Sequence, residues 1–370
     1  MVLVDLLSAI GGLIRVKESA DIDNAVFKLH YKITTTMLFG FCILITANSI
    51  VGDPINCHHG GSEGLQDDVV NTYYNPAFKF AGIGPYEEGD TMIYHAYYQW
   101  VPFLLFIQGI LFYSPHWLWK AWEGRKLDAM VMGLSSPAVT QEERREKIYI
   151  LTDYMVRSLH RHHFYAFKFF FCEFLNFTNT VFNLWFLNKF LGEKYMSIGI
   201  DLLKYVGEDD SKRTDPLIIL FPRVTKCNFY LFGPSGTRQN RDILCVLGLN
   251  VINEKIFVFL WFWFIFLAIV SALGMIYRGI IYCLPVIRIG LLLKKAQIKY
   301  KNALKVLSKH LQAGDCFMLH LLSKNLEFLS FSSLLEEMFR KFDSRTSLQT
   351  DVEFNSNTDD EAYDMMNPKT

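Results

Sequence analysis

Seven cysteines are the residues of this chain whose chemistry depends most on where they lie. Paired cysteines persist as disulfides in oxidising compartments and are reduced in the cytosol. The membrane spans assigned below place Cys57, Cys227 and Cys245 on the outer side of a membrane. The remaining cysteines lie in or at membrane helices or in the cytosol: Cys42, Cys172, Cys283 and Cys316. Three outer cysteines are an odd number, so at most one internal disulfide forms among them and one thiol remains.

Other chemistry-bearing motifs predict no catalysis. His160, His162 and His163 suggest a metal site, but no further ligand follows at metal spacing. Histidine beside arginine ahead of a membrane helix favours an interfacial position. The turn 233–236 has the sequence Gly-Pro-Ser-Gly but lacks the strand and helix of a nucleophile elbow. With no phosphate-binding glycine loop, no HExxH motif and no basic nucleic-acid face, the sequence predicts a non-enzyme without cofactor, metal or nucleic-acid partner.

Four long apolar stretches must position these side chains: 33–52, 97–119, 169–187 and 256–277. Each is long enough to cross a hydrocarbon core of roughly 30 Å as a helix. The third is interrupted by Glu173, which is either a structural carboxylate facing the bundle or interface, or a group with a role in gating or permeation. The predicted fold is therefore an all-α membrane protein, a four-transmembrane-helix bundle subunit with a helical cytosolic domain.

The second stretch begins with an aromatic belt, Tyr97, Tyr98, Gln99 and Trp100, where a helix meets the headgroups. Pro102 follows at once and removes a backbone donor, so we expect a bend just inside the membrane. Such a bend could act as a gating hinge or as a fixed packing kink. Either use requires neighbouring helices to satisfy the freed carbonyl, which places this segment in a bundle.

The distribution of basic residues predicts the orientation. The segment between the second and third stretches contains eight Lys or Arg residues from Lys120 to Arg161, whereas the segment between the first and second contains Lys79 alone. The positive-inside rule therefore places both termini in the cytosol. The expected divisions are a cytosolic N-terminal segment 1–32, spans 33–52, 97–119, 164–190 and 256–278, outer loops 53–96 and 191–255, a cytosolic loop 120–163, a cytosolic helical region 279–342 and an acidic disordered tail 343–370.

Several motifs in order along the chain resemble the innexins, the invertebrate gap-junction proteins, and most closely the insect ones. The sequence YYQWVPF at 97–103 is similar to the signature at the start of their second span. Further similar stretches are 23–30, GDPINC at 52–57, 119–124, FPRVTKC at 221–227, 233–236, 244–245, 249–255, LWFWF at 260–264 and AGD at 313–315. This ordered set is more specific than any one motif. The first outer loop departs from the family pattern, because 71–84 is shortened and lacks a second cysteine.

The resemblance implies a subunit that rings a wide central pore, with eight subunits in each hemichannel. It implies a disulfide between Cys57 and Cys245, which leaves Cys227 without its usual partner. It also implies that the N-terminal segment, the first span and the start of the first outer loop line the pore. The candidate pore-lining residues are Val2, Leu3, Asp5, Leu6, Asn48 and Asp53.

The function that the resemblance implies is a plasma-membrane gap-junction channel. Hemichannels made of this or other innexin subunits would dock between adjacent cells and pass ions and small metabolites. A wide aqueous pore selects by radius and lining charge. Two alternatives stay open: a hemichannel that opens to the exterior without docking, which the shortened first loop favours, and a non-conducting adhesion or modifier subunit.

Overall fold

The computed structural model describes residues 20–52, 56–58, 97–134, 140–206, 217, 220–298 and 303–344. Most of these residues are helical. The helices are α1 Ala25–Val51, α2 Tyr97–Glu123, α3 Lys126–Val131, α4 Gln141–Arg157, α5 His163–Phe190, α6 Tyr195–Val206, α7 Gly248–Cys283, α8 Pro285–Ala296, α9 Ala303–His310, α10 Ala313–Asn325 and α11 328–344. The candidate pore residues Val2, Leu3, Asp5, Leu6 and Asp53, the loop 71–84 and the tail beyond 344 lie outside the described residues.

Within the part of the chain that the structure describes, three helices are long and apolar enough to cross a membrane: α1, α2 and α7, with 27, 27 and 36 residues. They contain the first, second and fourth predicted spans. At 1.5 Å per residue α7 is about 54 Å long, which exceeds a hydrocarbon core of roughly 30 Å. Its first turns are polar and include Asn250, Asn253 and Glu254. These turns therefore contact other parts of the chain rather than lipid.

Helix α5 contains the third predicted span, and polar side chains interrupt its apolar composition. Asn176, Thr180 and Asn183 are buried and recur at helical spacing along one face. The exposed side chains between 164 and 186 are apolar except for Thr178: Phe164, Phe167, Phe171, Phe174, Val181, Phe182, Trp185 and Phe186. This arrangement is polar inside and apolar outside, as expected for a helix in lipid that turns its polar groups toward its neighbours.

A three-stranded antiparallel sheet lies in the segments assigned to the outer loops, and it corrects the all-α prediction. Its strands are β1 Asn56–His58, β2 Val224–Phe232 and β3 Arg238–Val246, in the order β1-β3-β2. The hairpin turn between β2 and β3 closes with a hydrogen bond from the Gly233 amide to the Thr237 carbonyl at 2.9 Å. Gly236 has φ +75°, a value that glycine adopts without strain. A turn rich in glycine between β-branched and aromatic runs is the hairpin signal that the helical prediction passed over.

The chain divides into two compact units. The bundle unit comprises Ala25–His116 and Phe174–Leu273, and the tail unit comprises Met1–Asn24, Trp117–Glu173 and Gly274–Thr370. The core of the bundle unit is built from large apolar side chains such as Phe112, Phe257 and Phe264, with Phe112 and Phe264 stacked at 5.3 Å between ring centroids. In the tail unit, the Trp119 ring contacts Phe169 at 5.0 Å, and Phe169 contacts Phe317 at 5.0 Å. Each unit thus has an apolar core of its own.

The proline inside helix α2 is Pro115. Proline has no amide hydrogen, so the Leu111 carbonyl loses its intrahelical donor. The hydroxyl of Ser114 donates to that carbonyl at 3.0 Å and replaces the missing bond. Pro102, in contrast, is the second residue of the α-helical part, directly after a 3₁₀ turn at Tyr97–Trp100. This position is in the first turn of the α-helical part, where proline is tolerated better than in a helix interior.

Candidate functional site

The base of the β2–β3 hairpin is where the motif residues of the chain converge. Tyr97, the first residue of the aromatic signature, donates its hydroxyl hydrogen to the Leu220 carbonyl at 2.9 Å. Its ring also packs edge-on against Phe190 and Phe221, with centroids 6.2 and 6.1 Å away. A tyrosine supplies both the apolar ring and the polar tip that this position uses. The start of α2 is thereby attached to the segment that leads into the hairpin.

Asparagines at the start of α7 bind the same segment. Asn250 is fully buried and donates to the Pro222 carbonyl at 3.0 Å, and Asn253 donates to the Asn250 side-chain oxygen at 3.3 Å. Pro222 is buried, and a buried backbone carbonyl needs a hydrogen-bond donor, which Asn250 supplies. The amide of Leu247 adds a bond to the Arg223 carbonyl at 2.7 Å. These bonds connect the two ends of the hairpin to helix α7.

A buried carboxylate completes the hairpin base. The Glu254 side chain is 1% exposed, with Arg223 Nη2 at 3.1 Å from one oxygen and Lys255 Nζ at 2.7 Å from the other. A buried charge is tolerated only when it is paired, and removal of one partner of such a pair is strongly destabilising. Arg223 comes from the motif at 221–227, and Glu254 comes from the motif at 249–255. Two motifs that were recognised separately in the sequence therefore form one ion pair. We call Tyr97, Leu220–Arg223, Asn250, Asn253 and Glu254 the hairpin base.

Aromatic packing fixes helix α6 to helix α7 beside the hairpin base. Tyr195 is buried and donates to the Phe257 carbonyl at 2.9 Å, and Trp261 Nε1 donates to the Met196 carbonyl at 3.2 Å. A Cβ at Gly199 would lie 2.3 Å from the Trp261 ring, so a side chain at this position cannot fit without displacement. Burial raises the pKa of Tyr195 well above its ordinary value, so the hydroxyl remains a donor.

The sheet places the outer cysteines in a defined register. Cys57 on β1 is directly opposite Cys245 on β3. Cys245 is buried and is not among the free cysteines of the described residues, which are Cys42, Cys172, Cys283 and Cys316. On the other side of β3, Thr225 of β2 is opposite Cys245, and Cys227 is opposite Ile243. Among the three outer cysteines, direct opposition on adjacent strands occurs for Cys57 and Cys245.

The remaining predicted site residues lie on α1 and at the start of α2. Asn48 is half-buried near the end of α1, and its carbonyl accepts the Gly52 amide at 2.9 Å. Trp100 is 62% exposed and packs against Phe103, with centroids 6.0 Å apart, whereas Gln99 donates to the Tyr98 hydroxyl at 3.3 Å. The Pro102 carbonyl accepts a hydrogen bond from the Cys42 thiol at 3.3 Å, which links α1 to the start of α2. The Pro102 hinge stays a prediction.

A buried polar network in the bundle unit was not anticipated from the sequence. Residues Leu29–Thr34 of α1 form a π-helical turn, and π-turns often occur at functional positions. The Thr34 hydroxyl donates to the Leu29 carbonyl at 2.9 Å and accepts the Trp263 indole N–H at 2.9 Å. His30 lies within this turn and is hydrogen-bonded to Ser271 at 2.7 Å. The available signals for this network were a tryptophan inside the fourth apolar stretch and a histidine just before the first one.

In the tail unit, the AGD motif joins two distant segments. Asp315 is buried and accepts hydrogen bonds from His162 Nδ1 at 3.0 Å and from the His160 amide at 3.2 Å. A Cβ at Gly314 would lie 2.5 Å from the His163 nitrogen, so the backbone of 162–163 requires glycine here. Burial raises the pKa of Asp315, but hydrogen bonds from His162 and the His160 amide outweigh it and hold this pKa below its ordinary value. His162 is therefore buried and partnered within the protein, and its interfacial position stays a prediction.

Glu173 is paired inside the tail unit. Its carboxylate accepts a hydrogen bond from the Asn24 side chain and lies 3.5 Å from Arg278 Nε. Arg278 also covers the Phe169 ring at 5.6 Å from its centroid. A carboxylate with an arginine and an amide as partners fits the structural alternative better than a freely exposed permeation group.

The described residues contain no group of three or more His, Cys, Asp or Glu side chains that could hold a metal ion. What the hairpin base can do is mechanical: it couples the β2–β3 hairpin to α2 and α7 through paired charges and hydrogen bonds.

The innexin family model matches residues 23–342 of the chain. Innexin inx3 of Drosophila melanogaster is 41% identical over 358 residues, covering 91% of this chain and 90% of the relative. Innexin inx2 of Schistocerca americana is 37% identical over 362 residues, covering 92% and 99%.

Proposed function

The chain belongs to the innexin family, whose members are gap-junction channel subunits, and from that premise we propose how its parts serve a docking channel. The observation that carries the proposal is the hairpin base. It anchors the β2–β3 hairpin to the starts of α2 and α7 through buried and paired polar groups. A rigid outer hairpin presents a preorganised face to a hairpin from an opposing cell, which lowers the entropic penalty of association.

We propose four membrane spans with both termini in the cytosol. Helices α1, α2 and α7 supply three spans by length and composition. Helix α5 supplies the fourth, because its exposed face is apolar and its polar groups are buried. Four crossings return the chain to its starting side, and the basic segment between Lys120 and Arg161 favours the cytosol for that side.

A disulfide between Cys57 and Cys245 is proposed to clamp the first outer segment to the hairpin. The register that puts these residues opposite each other supports it. Such a clamp closes a chain separation of nearly two hundred residues, which stabilises a fold by about 2–5 kcal/mol. Cys227 is proposed to remain unpaired.

The proposed assembly is a ring of eight subunits, formed with copies of this chain or with other innexins. Its pore is proposed to be lined by Asn48, Asp53 and the N-terminal residues Val2, Leu3, Asp5 and Leu6. The exposed side of α1 is mixed: Thr36, Gly40 and Ala47 are small, whereas Ile33, Leu44, Ile50 and Val51 are large and apolar. Asn48, which is half-buried, is the candidate on this helix that offers a polar group to an aqueous passage.

Recording from paired cells tests the proposal. Cells that both express the chain are expected to show junctional current, and single cells are expected to show dye uptake when hemichannels open. Dye uptake without junctional current would support the undocked hemichannel instead. Absence of both signals, with the protein at the surface, would support the adhesion or modifier subunit.

The topology has an independent test. Ser235 lies exposed in the hairpin turn, so an epitope inserted there is expected to be stained on intact cells. An epitope placed after residue 344 is expected to be stained only after permeabilisation. Staining of the Ser235 epitope only after permeabilisation would overturn the four-span arrangement.

A further inference from the structure

Helix α8 begins one residue after the membrane-crossing helix α7 and has two distinct faces. The face toward the tail unit is buried: Ile289, Leu292, Leu293 and Ala296. Ile287 and Leu291 lie one turn apart on the opposite face, and each is 43% exposed. Lys294 continues this outer face one turn later and is also exposed. The outer face is therefore apolar at its start and basic at its end.

The exposed apolar surface is continuous with the end of α7. Large apolar side chains are exposed on both sides of the junction at Leu284: Ile276, Tyr277, Ile280, Tyr282, Val286 and Ile287. A contiguous apolar surface of this kind marks a site that another apolar body covers. Since α7 emerges from the membrane at this junction, the lipid boundary is the adjoining apolar body.

The charged residues along this part of the chain have one sign, although Arg278 at the end of α7 is paired with Glu173 of α5. No Asp or Glu occurs between Glu254 and Asp315, whereas eight Lys or Arg residues occur between 276 and 310. Arg288 Nη1 donates to the Tyr282 carbonyl at 3.0 Å, which keeps its guanidinium at the α7–α8 junction. Lys295 Nζ donates to the Ser323 hydroxyl at 2.8 Å. Burial and the neighbouring Lys324 ammonium lower the pKa of Lys295, so an added anion would stabilise its charged form.

We propose that the outer face of α8 binds anionic phospholipids of the inner leaflet. Ile287 and Leu291 enter the boundary between headgroups and acyl chains, and Lys294 and Lys295 contact lipid phosphates. A helix with apolar and basic parts on its outer face suits this interfacial position, and basic residues are attracted to the negative surface of that leaflet. The inference goes beyond the channel function but rests on the proposed topology, in which α7 ends on the cytosolic side.

A fluorescence measurement on the full-length protein tests lipid contact. In a background with Cys42→Ser, Cys227→Ser and Cys283→Ser, Ile287→Cys is labelled with bimane and reconstituted in nanodiscs that contain lipids spin-labelled near the headgroup. We expect quenching, stronger by about twofold when phosphatidylserine is included than in phosphatidylcholine alone. Lys305→Cys on α9, also exposed, serves as the control position and is expected to be quenched less.

Charge removal tests the basic part of the same face. Lys294→Gln with Lys295→Gln is expected to abolish the difference between the two lipid compositions, and Lys305→Gln with Lys309→Gln is expected to preserve it. Equal quenching in both compositions for the unsubstituted helix would overturn the proposal. A label quenched by neither lipid nor soluble iodide would also overturn it, because it indicates a second copy of the chain on this face. A label quenched by iodide alone would overturn it as well, because it indicates that the face is exposed to water. Ser235 epitope staining and dye uptake, measured on the same variants, separate these outcomes from a wrong topology or a failed assembly.

Discussion

At the scale of single residues, Gly314 and Asp315 show how a short motif joins distant segments. Asp315 accepts hydrogen bonds from His162 and from the His160 amide, and Gly314 allows the backbone of 162–163 to approach. The carboxylate satisfies groups that would otherwise be buried without partners. Asp315 therefore contributes hydrogen bonds and charge, whereas Gly314 contributes the space for a close backbone contact.

We expect Gly314→Ala to destabilise the tail unit by about 1–3 kcal/mol, because its Cβ would meet backbone atoms that cannot move aside. The melting temperature of the purified full-length protein in mild detergent measures this effect. Gly290→Ala in α8 is the matched control, since its Cβ would meet only Leu304 at 4.0 Å. That variant should be unchanged or slightly more stable, and equal losses in both would contradict the steric explanation.

His320 predicts a pH dependence of stability. Burial, with Arg278, Lys324 and Lys295 nearby, lowers the pKa of His320 from 6.5 to about 4. Above pH 6.5 neither the folded nor the unfolded state is protonated at this residue. Between pH 6.5 and 4 the unfolded state binds a proton that the folded state does not bind, so stability falls as pH falls.

The expected loss between pH 7 and pH 5 is about 1–2 kcal/mol, from 1.36 kcal/mol for each unit of pKa difference. Melting temperatures of the full-length protein at the two pH values measure it. His320→Gln cannot bind the proton and should show a smaller decrease between pH 7 and pH 5. An undiminished decrease in this variant would assign the pH dependence to other groups.

At the scale of elements, helix α5 has polar side chains on its buried face and apolar side chains on its exposed face. This is the reverse of an amphipathic helix in a water-soluble protein. The Thr180 hydroxyl donates to the Asn176 carbonyl at 3.0 Å and lies 3.5 Å from His30 Nδ1. Its neighbours on the buried stripe are Asn176 and Asn183. Polar groups that face other helices contribute modestly to association in lipid, and their exposure to lipid would be unfavourable.

We expect Thr180→Val to destabilise the protein by about 0.6 kcal/mol, since it removes a hydroxyl from a buried contact. Thr178→Val, on the exposed face of the same helix, should have no effect or a slightly favourable one, because a lipid-facing position prefers an apolar side chain. Thermal unfolding in detergent with matched lipid measures both variants. The opposite ranking would contradict the proposed membrane orientation of α5.

At the scale of the whole molecule, the β2–β3 hairpin depends on parts of the chain that are far apart in sequence. Cys57 precedes α2, whereas Cys245 precedes α7. The hairpin base adds Tyr97 and Glu254 from the same two helices. Docking would therefore respond to changes in any of these segments.

Cys57→Ser and Cys245→Ser are each expected to abolish most junctional current between paired cells, and the double variant should lose no more than either single one. Cys227→Ser should retain the current, because Cys227 is proposed to have no partner. Cys316→Ser, a buried thiol in the tail unit, is the second control. Surface biotinylation would verify that all five variants reach the membrane, and a loss of current in Cys227→Ser would contradict the proposed pairing.

The sequence by itself determined the membrane-crossing character of α1, α2 and α7 and the family of the chain. An uncharged run of this length is expected to form a membrane helix, because the bilayer accommodates its apolar side chains and the helix forms all of its own backbone hydrogen bonds. The innexin resemblance, drawn from ordered motifs such as 97–103 and 221–227, is confirmed by the match over 23–342. Hydropathy and motif identity depend only on residues that are close together in the sequence, so both can be determined without the structure.

Only the tertiary structure decided which motif residues contact one another. Arg223 and Glu254 are 31 residues apart, and His162 and Asp315 are 153 apart, so no local pattern indicates either pair. The β2–β3 hairpin and the buried polar stripe of α5 were not predicted, for the same reason. A strand is stabilised by its partner and a buried polar group by its neighbour, and both partners are specified by packing rather than by the residues nearby.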